Sequence, residues 1–385
     1  MSQLVQRRLT DLLSFIVDNR GRTCPTSETG IPLIATNCVK DDELYPVFEK
    51  VRFVDETTYE TWFRAHPEPG DILFVCKGSP GRTALVPDPV SFCIAQDMVA
   101  LRVDPTVVNN RYLYYMLQSQ KTRHQIENMH VGTMIPHFKK GDFPKLVLSV
   151  HADLGEQQAI AEVLGALDDK IAANSACIRL IDEHLAAEYE RTLQQGEVVE
   201  ELGVIAEFHN KRRIPLSAKQ RDERPGAVPY YGASGVFGYV NEAIFDEPLV
   251  LVGEDGSVIN SDGTPVIQYI WGPSWVNNHA HALKGKLVST ELLYYAIRRS
   301  QVSTLVTGAV QPKINMGNLK RLQLALPAPE SRTSTEAIIA AEVAAKRAFT
   351  TENRTLVATR DALLPQLMSG NLRVKDAEKI VKDAF

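Results

Sequence analysis

Between Asp153 and Leu193, apolar residues return in alternating steps of four and three: Ile160, Leu164, Leu167, Ile171, then Asn174, then Ile178, Ile181 and Leu185. No proline interrupts the run. A heptad seam of this kind needs a partner helix, and that need constrains the chain more than any other feature in it. Asp153 and Glu156 stand at capping-box spacing and mark the start. Asn174 is the one polar seam residue, and such an Asn ordinarily fixes register or orientation at some cost in stability. About 40 helical residues span roughly 60 Å at 1.5 Å per residue. The expectation is a strut rather than packed core, so what flanks it decides the function.

The chain has 385 residues, enough for two globular domains and a spacer. With 44% hydrophobic and 23% charged residues, disorder is not the default. No apolar run reaches membrane-spanning length and the N-terminus lacks a signal-peptide core, so the expected location is cytoplasmic, with no membrane partner. The five cysteines form no CxxC pair, which points to free buried thiols and away from zinc. A net charge of −5 argues mildly against a general nucleic-acid binder, though charge can be segregated between faces.

Residues 1–150 read as a mixed domain. Ile31–Thr36, Gly70–Val75 and Met98–Val103 are strand candidates, and Tyr112–Leu117 fits a short helix. Residues 197–330 repeat the order. Leu292–Ile297 echoes Tyr112–Leu117, and Leu249–Gly253 takes the place of Ile72–Val75. Thr307–Pro312 echoes Val131–Pro136, with Gly308 as far from Gly132 as Pro312 is from Pro136. A second helical stretch follows over roughly Thr333–Met368, with Thr333 and Glu336 again at capping-box spacing. Transposing the first seam gives Ile339, Val343, Lys346, Thr350, Asn353, Val357, Arg360 and Leu364, interrupted by polar residues. A neighbouring stripe of Ile338, Ala345, Phe349, Leu356, Leu363 and Leu367 is the alternative face.

The expected architecture is therefore α+β: two repeated α/β domains, 1–150 and 197–330, separated by two long helices in 151–196 and 331–385. The helices pair as an antiparallel coiled coil with pseudo-two-fold symmetry, through the first seam together with Phe349, Asn353, Leu356, Leu363 and Leu367. Paired modules on such an axis match the symmetry of duplex DNA, whose half-sites mirror paired protein modules. A rod of that length caps the centre-to-centre spacing at about 18 base pairs.

Nearly the whole chain resembles a specificity subunit (HsdS) of a type I restriction-modification system. The residues that carry the resemblance are Gly70-Asp71-Ile72-Leu73-Phe74, Gly132-Thr133-Met134-Ile135-Pro136, the Leu154–Leu164 run around Glu156-Gln157-Gln158-Ala159-Ile160, Leu167–Ile171, Tyr230–Tyr239 and Leu363–Val374. The resemblance implies two target recognition domains, each reading one half of a bipartite site on double-stranded DNA. The helices would act as spacer and as docking platform for two modification (methyltransferase) subunits, joined by restriction/translocase subunits. It implies no catalysis and no cofactor in this chain, with S-adenosylmethionine, ATP and Mg in the partners. Two departures stand out: Gly155 occupies a place where family members often have Pro, and the second helix reads Glu336-Ala337-Ile338-Ile339 without the Glu-Gln-Gln-Ala-Ile run.

The residues agree that catalysis is not written here. There is no Walker A pattern and no Asn/Asp-Pro-Pro-aromatic tetrapeptide. Asn278-His279-Ala280-His281 places two His on one strand face without a convincing third ligand. Glu254-Asp255 resembles half of a nuclease carboxylate cluster, and the loop reading is preferred. Arg and Lys can approach phosphate or the guanine O6/N7 edge, and Asn and Gln can pair with adenine. On that basis the candidate DNA contacts in the first domain are Arg22, Asn37, Lys77, Ser79, Arg82, Thr133, His137, Lys139 and Lys140. In the second they are Lys211, Arg212, Arg213, Tyr231, Ser234, Asn277, Asn278, Gln311 and Lys313. Lys77/Arg82 and Gln311/Lys313 rank first because they occupy repeat-equivalent loops. Tyr114-Tyr115 and Tyr294-Tyr295 read as core. The rival readings are a self-contained metal-dependent nuclease and a protein–protein scaffold with no DNA role.

Overall fold

A computed structural model describes residues 3–21, 23–129, 136–308 and 311–384. Arg22, Gly132 and Thr133 lie outside the described residues, as does the side chain of Lys140. The chain divides into two compact units, Met1–Ala176 together with Phe349–Phe385, and Cys177–Ala348.

The first unit is built on an antiparallel sheet in the spatial order Leu13–Val17, Met98–Val103, Ile72–Val75, Thr83–Leu85. Every residue of Ile72–Val75 is buried. Ile72 and Phe74 face the helical core, and Leu73 and Val75 face a second core on the other side. A strand covered on both faces reads as a continuous apolar run, as this one does. A smaller mixed sheet orders Arg52–Val54, Ile31–Ile34 and Cys93–Ile94, and Leu4–Arg8 pairs with Val147–His151 as a ribbon.

The second unit repeats this plan. Its main sheet orders Ala206–Phe208, Ala280–Gly285, Leu249–Gly253 and Ile267–Ile270, and Glu197–Glu201 pairs with Gln323–Pro327 as the ribbon. Leu249–Gly253 is buried throughout, again with a core on each side. The repeat read from the sequence is a repeat of sheet order.

Two long helices, Leu154–Gln194 and Pro329–Met368, each contribute one end to each unit. The strut expectation needs correction here. In the first unit Ile160, Leu164, Leu167 and Ile171 join Leu356, Leu363 and Leu367 in one core with the sheet and the Asn110–Gln118 helix. In the second unit Leu185, Ile339 and Val343 do the same beside the Thr290–Arg298 helix, with Ile181 half-buried against them. The seam is apolar because it closes domain cores as well as meeting a helix. Tyr114, Tyr115 and Tyr295 are buried in these cores, and Tyr294 is partly buried.

The second helix buries a composite face. Leu356, Leu363 and Leu367 of the alternative stripe are buried, whereas Ile338 is exposed. Ile339 and Val343 of the transposed register are buried, and its Lys346, Asn353 and Arg360 point inward to partners. Lys346 Nζ donates to both carboxylate oxygens of Asp182 at 2.6 and 2.7 Å. Arg360 Nη1 donates to Asp168 at 2.8 Å. Asn174 Nδ2 donates to its own repeat equivalent, Asn353 Oδ1, at 2.9 Å and to Glu352 at 2.7 Å. The residues that break the apolar pattern are therefore the ones that fix the register.

Asp153 caps the first helix, accepting from the Gly155 amide at 3.1 Å. The second helix starts at Pro329, earlier than the Thr333 expected from spacing. Proline suits that position because its missing N–H is one the first turn leaves unbonded. Glu336 has a different role: it accepts from the amide of Ser289, the cap of the Thr290–Arg298 helix, at 2.6 Å. Gln157 does the equivalent for Asn109, the cap of the Asn110–Gln118 helix, at 2.9 Å. Gly370 closes the second helix at φ +72, a conformation that favours glycine. Among the described residues no helix is long and apolar enough to cross a membrane.

Candidate nucleic-acid interface

In both units the central buried strand ends in a tight, backbone-locked tip. In the first, Ile72–Val75 runs into Cys76, and the chain turns through Lys77-Gly78-Ser79-Pro80-Gly81-Arg82. Gly78 and Gly81 take φ of +87 and +91, which the turn requires and which side chains resist. The Gly78 amide donates to the Pro136 carbonyl at 3.0 Å, and the Phe138 amide donates to Cys76 O at 2.8 Å. Lys77 forms a strand bridge with His137. The Asp97 carbonyl accepts from the amides of Cys76 and Lys77 at 2.8 and 3.2 Å. Phe138 anchors this arrangement, fully buried against Phe74 and Phe143.

The second unit builds the same tip after Leu249–Gly253. The Gly256 amide donates to Pro312 O at 3.1 Å, and the Ile314 amide to Glu254 O at 2.9 Å. The Glu254 amide donates to His279 O at 2.8 Å, and Asp255 bridges Lys313. Beneath it lies a polar layer. Arg213, only 11% exposed, donates to Glu254 at 2.7 Å and to Ala280 O at 2.6 Å. His281 is fully buried between Asn210 at 2.8 Å and the Ile314 carbonyl at 2.7 Å. Its Nε2 donates to that carbonyl and its Nδ1 accepts from the Asn210 amide, the pattern of a neutral ring, and burial lowers its pKa to match. Glu254 also faces Lys313 at 3.6 Å, so it is a neutralised structural carboxylate.

The candidates therefore separate. Lys77, Ser79 and His137 gather at the first tip, and Lys313 lies at the second, where the Pro312 that follows Gln311 accepts the Gly256 bond. Lys77 is 47% exposed and 4.0 Å from Asp97. Arg82 is held at 3.0 Å by Asp41, which also holds Arg123 at 3.0 Å. Asn37 is exposed and donates to Glu49 O at 2.6 Å, and Lys139 is exposed beside the tip. In the second unit Lys211, Ser234, Asn278 and Gln311 are exposed. Arg212 pairs with Glu247 at 2.7 Å over the Phe245 ring. Tyr231 is half-buried in the Val228–Tyr231 strand. Asn277 is buried, holding the His279 amide at 2.8 Å, and Arg213 is nearly so, so neither offers a donor at the surface. A basic or amide letter in a loop does not say which way the side chain faces.

The sequence reading missed Asp97 and did not assign Asp255 and His279 to the tips. Asp255 accepts a hydrogen bond from His279 Nδ1. These pairs form across strands, so no local spacing signals them. Phe237 and Tyr239 are both more than half exposed on the Val236–Val240 edge strand. Among the described residues no group of three or more His, Cys, Asp or Glu could hold a metal ion.

Comparison with known proteins places this geometry. Residues 3–181 and 196–339 match the type I restriction modification DNA specificity domain. The chain belongs to that family and carries its domain twice. It is 29% identical over 151 residues to a protein named as a type I restriction enzyme specificity subunit of Haemophilus influenzae, covering 39% of this chain and 38% of the relative. It is 26% identical over 248 residues to a protein named as a type I specificity subunit of Mycoplasma pneumoniae, covering 60% and 64%. The chain thus spans between 38% and 64% of the lengths of these relatives. A crystal structure of the type I restriction-modification S subunit from M. genitalium shares the fold, with TM-score 0.58 at 19% identity over 95% of this chain and 96% of that one.

Proposed function

We propose that this chain is the non-catalytic DNA-reading subunit of a type I restriction-modification complex. Each unit reads one half of a bipartite site on double-stranded DNA, and the two long helices fix the gap and dock two modification subunits. Restriction/translocase subunits join that complex, and S-adenosylmethionine, ATP and Mg act in the partners, in the cytoplasm. The observation that carries this reading is the recurrence of one strand-end tip on one sheet order in both units of a chain that matches the family's domain twice. The net negative charge supports weak DNA binding by the isolated chain and tight binding in complex.

The test is genome-wide adenine methylation in cells that express the chain with its modification subunit, against a deletion of the chain. Loss of one bipartite methylated motif is expected. An unchanged methylome with the modification subunit active would overturn the proposal.

A further inference from the structure

The two tips match in backbone and differ in the order of their side chains. Three positions recur: the first residue beyond the central strand's buried end that forms the bridge, the residue on the neighbouring strand connection whose carbonyl accepts from the tip, and the bridge partner. In the first unit they are Lys77, Asp97 and His137. In the second they are Asp255, His279 and Lys313. The same three chemistries appear at both tips in permuted order. Lys77, Asp97, His279 and Lys313 are each close to half exposed, whereas Asp255 is 18% exposed and accepts from His279 Nδ1.

We propose that these trios read base edges, and that their permutation makes the two half-sites differ at the base pairs they face. The inference rests on the DNA-reading role proposed above. A surface meant for phosphate alone is a cluster of cations, and a carboxylate within it repels the backbone. Each tip instead sets a carboxylate beside a cation. That mixture is what a base edge needs: lysine donates to guanine O6 and N7, and aspartate accepts from the cytosine N4 amine. The Lys77–Asp97 contact, 4.0 Å long and exposed on both sides, holds the side chains loosely enough to be exchanged for a base. The carbonyl–amide closures beneath keep each tip's backbone in place. The first tip thus presents Lys77 and Asp97 to a base edge, and the second presents Lys313 and His279, the latter steadied by Asp255 behind it.

The experiment is methylome sequencing of cells that express the full chain with its modification subunit, comparing wild type with Lys77→Ala, Lys77→Arg and Lys313→Ala. Lys77→Ala is expected to relax one base position of one half-site by about tenfold to a hundredfold, with the other half-site unchanged as the internal control for folding. Lys77→Arg retains the guanine preference, and Lys313→Ala relaxes a position in the opposite half-site. Uniformly weaker methylation of an unchanged motif, or an unchanged motif at full strength, overturns the proposal while leaving the DNA-reading role intact. Absence of any bipartite motif in the wild type overturns that role as well.

Discussion

Arg360→Ala should destabilise the first unit by about 3 kcal/mol, toward the low end of the range for breaking a buried ion pair. Arg360 and Asp168 are 14% and 4% exposed at 2.8 Å, so removal of the guanidinium strands a carboxylate away from water. Burial works against the Arg360 charge, but Asp168 and the adjacent Asp361 together more than reverse this, so the Arg360 pKa is raised. The Tyr115 hydroxyl still donates to Asp168 at 2.7 Å, which keeps the loss near the low end. The second unit supplies the control. Tyr295, Asp182 and Lys346 form the corresponding triad, with the cation and carboxylate carried on opposite helices relative to their own domain. Lys346 and Asp182 are 23% and 28% exposed, so Lys346→Ala should cost about 1 kcal/mol. Urea unfolding of the full-length chain measures both. Arg360→Leu combined with Asp168→Leu should recover most of the loss, because no uncompensated charge remains. If Arg360→Ala costs less than Lys346→Ala, or the double variant is as unstable as the single, the buried-charge argument is refuted.

Three further outcomes follow from the packing. Glu336→Gln keeps the acceptor for the Ser289 amide and should change stability by less than about 1 kcal/mol, whereas Glu336→Ala should cost about 1–3 kcal/mol; equal losses in thermal melts would show the bond to be unimportant. Asn174→Leu should be clearly destabilising alone, because it leaves Asn353 without its main partner, and less so when joined to Asn353→Leu; urea midpoints that simply add would count against the pairing. His151 and His281 are buried and held below the ordinary value near 6.5 by that burial. As pH falls, the unfolded chain therefore takes up protons first, so stability is full above about 6.5 and is lost toward the lower folded pKa. A melting temperature unchanged between about pH 7.5 and about pH 5.5 would contradict this. The exposed His184, raised by its hydrogen bond to Glu342, acts in the opposite sense and is screened by solvent.

Periodicity carried most of the architecture. The unbroken seam, the recurring Tyr-Tyr helix and the apolar strands at Ile72 and Leu249 are visible in sequence because burial on a regular element imposes a regular spacing. The second helix was harder to read because its inward face alternates between two apolar registers and places Lys346 and Arg360 inside, where only the facing aspartates make them tolerable. Capping-box spacing misled at Thr333, since Glu336 bonds another helix rather than its own start. The tips were found in part: Lys77 and Lys313 follow from repeat position, but Asp97 and His279 enter through cross-strand pairing, which depends on register rather than spacing. Arg213 and Asn277 mark the same limit from the other side, because both are polar loop residues turned inward.

The division of the chain has a consequence for its synthesis. The unit that begins first is completed last, because Leu356, Leu363 and Leu367 of its core lie beyond the whole of the other unit in the chain. At a ribosomal rate of about 5–20 residues per second, the emerging N-terminal sheet waits roughly 10–40 s for those leucines. The central unit, Cys177–Ala348, is contiguous and can close its own core in the meantime. A ribosome stalled late in the message would therefore carry a finished second unit and an open first one.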